Sequence, residues 1–171
     1  MELIDFEKTR SVLEEFAEAV AQRYKDNLVA SGRPTQKEAQ LIPSIRTEVI
    51  LGERAWEVTM TLRDYWKYVE EGVQGDGNPQ SPYRNPGWKA FPHILHWIDI
   101  KPVLPRPNGN KIPSQKSLAY LITRSIVQHG TQGSHDLKRA KEDVMESFKE
   151  RIVDALQHDV GFYIRKVIVG T

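Results

Sequence analysis

The chain has 171 residues, of which 39% are hydrophobic and 27% charged, so it has the composition of a globular protein and the length for one domain with a buried core. A net charge of +1 gives no overall field that would attract nucleic acid or a membrane, and the lack of cysteine excludes disulfides, thiolate metal sites and a cysteine nucleophile. Residues 1–5 lack the basic and apolar run of a signal peptide, and no segment has the roughly 18 consecutive apolar residues of a membrane helix, so we expect a protein made in a cytoplasm with no membrane partner.

The first predicted element is an amphipathic helix that ends before Gly32 and Pro34. Its apolar residues recur at steps of three, four and seven, which places them on one face. That face consists of Phe6, Leu13, Phe16, Ala17, Val20, Tyr24 and Leu28.

A β-hairpin is predicted next, because the period changes from that of a helix to two. Apolar and polar residues alternate from Ile45 to Leu51 and again from Trp56 to Leu62, on either side of a turn at Gly52. An isolated hairpin is marginal in water, so its apolar face, including Trp56, is expected to pack on helices or on other strands.

A short aromatic helix follows, with Asp64 predicted as its N-cap and Gly72 as its C-terminal stop. Residues 73–91 are then rich in Gly, Asn and Pro and carry several aromatic side chains. Loops of this length inside a compact domain are usually functional or disordered. We interpret this segment as an extended assembly or binding loop.

The second half of the chain is predicted to be mainly helical. A short helix, His93–Ile100, follows Pro92, and a second extended loop covers residues 102–113. Ser114 is predicted to cap a helix that stops near Gly130. Its apolar face contains Leu118, Leu121, Ile122, Ser125 and Ile126.

A long final helix follows the turn at residues 130–134. Its predicted apolar stripe contains Leu137, Val144, Phe148, Ile152, Ala155 and Leu156. Residues 160–169 continue the helical period, whereas Gly161 and the β-branched run 167–169 are more typical of a strand. The period favours the helix.

These elements predict an α+β fold in a single domain, residues 1–171. It combines an N-terminal helix, a β-hairpin or small antiparallel sheet packed against several helices, a long C-terminal helix and the two extended loops.

The histidines give no clear metal site. His93 and His96 lie three residues apart beside Asp99, and a third ligand would have to come from elsewhere, such as His129 or His135. Paired histidines on a helix rich in Ile and Trp are more often packing or surface residues. We predict no metal and no cofactor.

Catalytic signatures are also lacking. Glu70 and Glu71 are adjacent, so on a helix they point in different directions and cannot converge on one bond. Serine nucleophile elbows, phosphate-binding glycine loops and dinucleotide fingerprints are missing from the sequence. We predict that the protein is not an enzyme.

The segment from 101 to 124 is basic and contains no Asp or Glu. On a monomer its charges would be a solvated surface, but repeated around a ring they would attract a polyanion such as packaged DNA, without reading its sequence. The candidate DNA-facing residues are Lys101, Arg106, Lys111, Lys116 and Arg124.

Aromatic side chains concentrate on the helix-loop-helix block around residues 65–97. Exposed aromatics are enriched at protein interfaces, and the alternative is a single large aromatic core. The candidate interface residues are Tyr65, Trp66, Tyr83, Trp88, Phe91 and Trp97.

The order of several short segments resembles a known family. Directly after the predicted hairpin, Asp64-Tyr65-Trp66-Lys67-Tyr68-Val69-Glu70-Glu71-Gly72 resembles a segment of head–tail connector and tail-completion proteins of tailed bacteriophages. The resemblance continues through His93–Ile98, a Lys-Pro connector, Ser117–Ile126 and His129–Thr131, and it covers about residues 5–160.

This resemblance implies a structural virion protein of the phage neck. Such proteins form rings, often of six or twelve copies, that join the portal and head to the tail or complete the tail tube. The expected partners are therefore other copies of the chain and portal, adaptor or tail-tube proteins, in a virion assembled in the cytoplasm of a bacterial host. Two alternatives remain open: a DNA-binding accessory protein using residues 101–124, and a metal-dependent enzyme around His93 and His96.

Overall fold

A computed structural model describes residues 6–31, 41–52, 55–76, 79–85, 87–100 and 113–169. The predicted α+β fold is confirmed. The chain divides into two compact units. Unit 1 consists of residues 1–35, 40–63 and 136–171, and unit 2 of residues 36–39 and 64–135. The prediction of a single domain stays a prediction.

Unit 1 contains two long helices, a short helix and a hairpin. Their bounds are α1 Glu7–Ala30, α2 Leu41–Ser44, β1 Arg46–Leu51, β2 Trp56–Thr61 and α6 Asp136–Val169. The tail at residues 160–169 is helical, as the period favoured.

The core of unit 1 forms where α1 and α6 pack together in antiparallel orientation. The predicted face of α1 is largely confirmed, with Phe16, Tyr24 and Leu28 among its buried residues. Ala140 and Ala155 are buried on α6, where their small side chains allow the helices to approach closely. Part of the predicted α6 stripe is wrong, since Leu156 is exposed: it lies about 100° around the helix from Ala155, beyond the face that α1 covers.

Polar contacts fix the register of these two helices at both ends. At one end Asp159 accepts hydrogen bonds from the backbone N–H and the hydroxyl of Thr9, both at 2.7 Å. At the other end Ser31 donates its hydroxyl to the Asp136 carboxylate at 2.9 Å, and Asn27 donates to the Asp136 carbonyl at 3.0 Å. Carboxylates on α6 therefore hold both ends of α1.

The hairpin of β1 and β2 packs against α1 and has the predicted antiparallel pairing. Its register runs from Arg46 opposite Thr61 to Leu51 opposite Trp56. Three expectations for its apolar face are wrong, since Leu51 and Val58 are exposed and Trp56 is only half-buried. A two-stranded ribbon twists strongly, so its two ends cannot both lie flat on one helix.

Unit 2 is built from short helices around a very small sheet. Its elements are α3 Trp66–Glu71, β3 Gly72–Val73, a 3₁₀ helix Gly87–Ala90, α4 Phe91–Ile100, α5 Gln115–His129 and β4 Thr131–Gln132. The N-cap position of α3 is Tyr65 rather than the predicted Asp64. Ser114 does cap α5, since its side chain accepts a hydrogen bond from the N–H of Ser117.

The β3–β4 pair was not predicted, and it depends on close backbone approach. Val73 pairs with Thr131 and Gly72 with Gln132. A Cβ added at Gly72 would lie 2.0 Å from the Thr131 carbonyl oxygen, and one at Gly75 would lie 1.9 Å from the Gly130 nitrogen. Only glycine fits where these two stretches meet.

The described part of segment 73–91 is tied into unit 2. Buried Ser81 donates its hydroxyl to the Gly72 carbonyl at 2.9 Å, and Asn85 donates its amide to the carbonyls of Gln74 and Ile126. This segment is not wholly irregular, because it contains Val73 of β3 and the 3₁₀ helix. The second predicted loop, residues 102–113, lies outside the described residues except for its last position.

The buried side of α5 differs from the prediction. Ala119 and Thr123 are fully buried, whereas Leu121 and Ser125 are exposed. The close packing of α4 on α5 favours small side chains at the contact, so Leu121 is turned outward. In the described part of the chain, no helix is long and apolar enough to span a membrane.

Candidate subunit interface

An exposed aromatic pair of unit 2 joins the 3₁₀ helix to α5. The rings of Trp88 and Tyr120 are stacked, with centroids 5.1 Å apart and an interplanar angle of 25°. Trp88 is 49% exposed and Tyr120 48% exposed, so each ring gives about half of its surface to solvent. Stacking fixes both rings, and fixed aromatic rings bind a partner with little loss of side-chain entropy.

Leu121 and Trp97 add exposed apolar surface on the neighbouring helices of the same unit. Leu121 follows Tyr120 on α5, and Trp97 lies on α4, which packs against both α5 and the 3₁₀ helix. We call these four exposed side chains of unit 2, Trp88, Trp97, Tyr120 and Leu121, the aromatic patch; Trp88 and Tyr120 are in direct contact. Its composition is that of interface hot spots, in which Trp and Tyr are enriched.

A second aromatic pair packs differently. Tyr68 and Tyr83 meet edge to face with centroids 5.1 Å apart, and the ammonium of Lys67 lies 5.3 Å from the first ring and 5.6 Å from the second. This pair attaches the 79–85 segment to α3. Tyr83 is half-buried, so it contributes to the packing of unit 2 as well as to its surface.

The predicted interface residues therefore divide into two groups. Tyr65, Trp88 and Trp97 are exposed, as an interface requires. Trp66, Tyr83 and Phe91 are half-buried, in positions that include the first residues of α3 and α4. Neither the interface nor the single aromatic core describes all six residues.

Only two of the predicted DNA-facing residues can be placed. Lys101, Arg106 and Lys111 lie outside the described residues, whereas Lys116 and Arg124 are exposed on α5. Their spacing puts them four residues before and four residues after Tyr120, hence on one face of that helix. The three side chains form a mixed basic and aromatic stripe.

Comparisons of the chain with protein-family models, with curated proteins and with solved structures give no match. The resemblance to phage neck proteins therefore receives no independent support. The function has to be argued from the surfaces themselves.

A polar cleft in unit 2 contains titratable groups. It is lined by Glu71, Ser81 and His135 among others and has a volume of about 350 Å³. The His135 Nδ1 lies 4.0 Å from the Glu71 carboxylate, too far for a hydrogen bond, and the Ser81 hydroxyl already donates to a backbone carbonyl. These groups do not form the nucleophile–base pair that covalent catalysis needs.

The predicted histidine pair of α4 is exposed. His93, His96 and Asp99 all face solvent on that helix. Across the described ranges, no three His, Asp or Glu side chains gather as a set that could hold a metal ion.

Tyr120 and Leu121 were missed as interface residues. The helical period predicts Leu121 on the buried face of α5 and Tyr120 outside that face, so it predicts neither residue as exposed apolar surface. The available signal was Tyr120 itself, a large aromatic residue between Lys116 and Arg124 on the side opposite to the predicted core.

Proposed function

We propose that this protein is a structural subunit that assembles with copies of itself into a ring, as part of the neck of a tailed bacteriophage. The observation that carries self-assembly is the aromatic patch, which presents two tryptophans, a tyrosine and a leucine on closely packed helices. The order of the sequence segments supports the phage neck as the setting.

The patch is suited to the centre of an interface. Binding energy concentrates in a few aromatic anchors that become fully desolvated, surrounded by contacts of little energy. In a ring each copy would present the patch to a different surface of its neighbour, because ring contacts are heterologous and close by rotation. Portal, adaptor or tail-tube proteins are the further partners of such a ring.

The first experiment is the mass of the purified protein by light scattering over a series of concentrations. We expect a discrete multiple of 19.7 kDa, with six or twelve copies as the ring orders that the resemblance implies. A particle of one chain at every concentration, alone and in the presence of chemical cross-linker, would contradict self-assembly.

Substitutions then test the patch directly. Trp88→Ala and Trp97→Ala should each raise the concentration needed for assembly at least tenfold, since truncating a hot-spot aromatic costs about 2 kcal/mol or more. Lys89→Ala, at an exposed non-aromatic position in the same 3₁₀ helix, is the matched control and should assemble normally. If all three variants assemble as well as the wild type, the patch is not part of the interface.

A second candidate function is binding of single-stranded nucleic acid by the Lys116–Tyr120–Arg124 stripe. Exposed aromatic rings stack on bases, and flanking cations neutralise phosphates. The test is tryptophan quenching of Trp88 by an oligothymidylate at several salt concentrations. Binding that falls steeply with salt and is lost in Tyr120→Ala would favour this function, whereas equal weak quenching in both proteins would dismiss it.

A further inference from the structure

Helix α6 has a second apolar face next to the one that packs on α1. Five apolar residues repeat at alternating steps of three and four over its C-terminal half, and each is between 38% and 63% exposed. We call them the seam: Val153, Leu156, Val160, Tyr163 and Val167. Alternating steps of three and four are the a and d positions of a coiled coil.

At Val153, Leu156 and Val160 the exposure of the seam does not come from a loose helix end. Ala155 and Asp159, which lie in the same turns as Leu156 and Val160, are 1% and 8% exposed because they face α1. The seam is centred roughly 100° around the helix from that face, at 100° per residue. From Val153 to Val160 one side of α6 is therefore covered by α1 while the seam is not, and from Phe162 to Ile168 every side chain is exposed.

We infer that the seam pairs with the seam of a second copy of this chain, the two α6 helices running parallel. All three a positions are valine, and the two d positions are Leu156 and Tyr163. β-branched residues at a with leucine at d favour parallel two-stranded pairing. Under a two-fold axis along the helices, each seam residue meets its own counterpart in the second copy, so the seam is self-complementary.

The exposed area fits a pair of copies. Ile164, at the e position beside the seam, is also exposed, whereas Ile168 is at a b position, which faces away from the partner in a two-stranded coiled coil. At roughly 150–200 Å² for a large side chain, the seam and Ile164 present roughly 500 Å² per copy, compared with about 800 Å² per partner in a standard interface. This is the size of a weak, reversible contact.

α6 is also preorganised for pairing. An isolated helix with little more than two heptads would not be stable in water. Here α1 holds the helix as far as Asp159 through the Thr9 hydrogen bonds, so pairing does not have to create the helix. Prior ordering of a binding element lowers the entropic cost of association.

The pairing deepens the proposed self-assembly, but it needs neither a ring nor a phage. In a ring it would add a two-fold contact to the heterologous contacts of the aromatic patch. The seam belongs to unit 1 and the patch to unit 2.

The test uses the absence of natural cysteine from the sequence. Each of Val153→Cys, Val160→Cys and Val167→Cys places one thiol at an a position, and any disulfide must then join two chains. Arg165→Cys is the control, because Arg165 is exposed on the side of the helix away from the seam. Mild oxidation of the full-length proteins, followed by non-reducing electrophoresis, measures the dimer fraction.

Parallel pairing predicts that all three a-position variants form covalent dimers at least tenfold faster than the Arg165 control. Antiparallel pairing would give a dimer at one position at most, and equal slow rates at all four positions would overturn the seam as an interface. A stripe covered from within the same chain would also give equal slow rates.

A second variant separates this inference from the proposed function. Val160→Glu should raise the dissociation constant of the pair at least tenfold at unchanged helical content, whereas Arg165→Gln, with the same change in charge, should not. If the wild type forms a ring that Val160→Glu leaves intact and no a-position variant cross-links, the seam is wrong and self-assembly stands. If the a-position variants cross-link but no particle larger than a dimer forms, the seam stands and the ring is wrong.

Discussion

Replacing Asp159 by alanine should destabilise unit 1 strongly, because this one carboxylate holds the N-terminal end of α1. Thr9 is 3% exposed, and both its N–H and its hydroxyl donate to Asp159. Phe6, at the N-cap of α1, makes no side-chain cap hydrogen bond, so Asp159 supplies from α6 the acceptor that a local cap would supply. The substitution removes both bonds and leaves two buried donors without their acceptor.

The expected loss is about 3 kcal/mol in the free energy of unfolding. A hydrogen bond to a charged group contributes roughly 1.5–3 kcal/mol, and two bonds that share one acceptor are not fully additive. Urea denaturation at pH 7, followed by circular dichroism, gives this quantity. Asp154→Ala removes an exposed carboxylate from the same helix and should change stability by no more than about 0.5 kcal/mol.

A double-mutant cycle with Thr9→Ala isolates the pair. That variant removes the hydroxyl and keeps the N–H, so we expect a coupling energy of about 1 kcal/mol or more between the two positions. Asp159→Asn retains an acceptor oxygen and should lose less than Asp159→Ala. The reasoning would be refuted by a coupling near zero together with an Asp159→Ala protein as stable as the wild type.

The same contact has a defined pH dependence. Burial by itself raises the pKa of Asp159, but the hydrogen bonds from Thr9 and the neighbouring His158 outweigh burial and hold this pKa below its ordinary value. The contribution to stability is therefore complete above the unfolded-state pKa of about 3.9 and is lost as the pH falls through the folded-state value. The stability advantage of wild type over Asp159→Asn should shrink as the pH falls below about 4, and an advantage that does not shrink would contradict this.

Four further substitutions test the packing. Gly161→Ala should raise the free energy of unfolding by about 0.5–1 kcal/mol in urea, because Gly161 is inside α6 with no atom within 4 Å of an added Cβ. Gly75→Ala should lower the free energy of unfolding by at least about 2 kcal/mol, because its added Cβ would clash with the backbone. Gly87→Ala should lower it by only about 1–2 kcal/mol, because Gly87 has a φ of +63° but open space around it. Equal small losses of stability in the two variants would contradict the close backbone approach at Gly75. Thr123→Val should stabilise unit 2 by about 1 kcal/mol, since the buried Thr123 hydroxyl has no hydrogen-bond partner among the described residues, and a loss of stability would indicate a hidden partner.

Local signals in the sequence predicted the larger elements well. The helical period of α1, the alternation of the hairpin and the Ser114 cap of α5 each depend on residues close in sequence. The β3–β4 pair could not be predicted in this way, because its strands are two residues long and lie almost sixty residues apart. Its formation depends on glycines that permit a close approach, which no period reveals.

The candidate interface was only partly predictable for a related reason. The period of α5 identifies its large apolar residues, but the contact with α4 selects the small ones, Ala119 and Thr123. Leu121 is consequently exposed, beside Tyr120. The stacking of Tyr120 on Trp88 joins residues 32 positions apart and needs the folded unit to bring them together.

The register of α1 on α6 links the fold of unit 1 to its proposed pairing. From Asp136 to Asp159 is about 35 Å along α6, and from Thr9 to Ser31 about 33 Å along α1, at 1.5 Å per residue. The polar contacts at the two ends therefore match without slippage of one helix along the other. Apolar packing alone would tolerate a shift of one turn, since alanines and large residues recur along both helices. With the register fixed by carboxylates, the rotation of α6 about its own axis is fixed too, and the seam has one direction in which to meet a second copy.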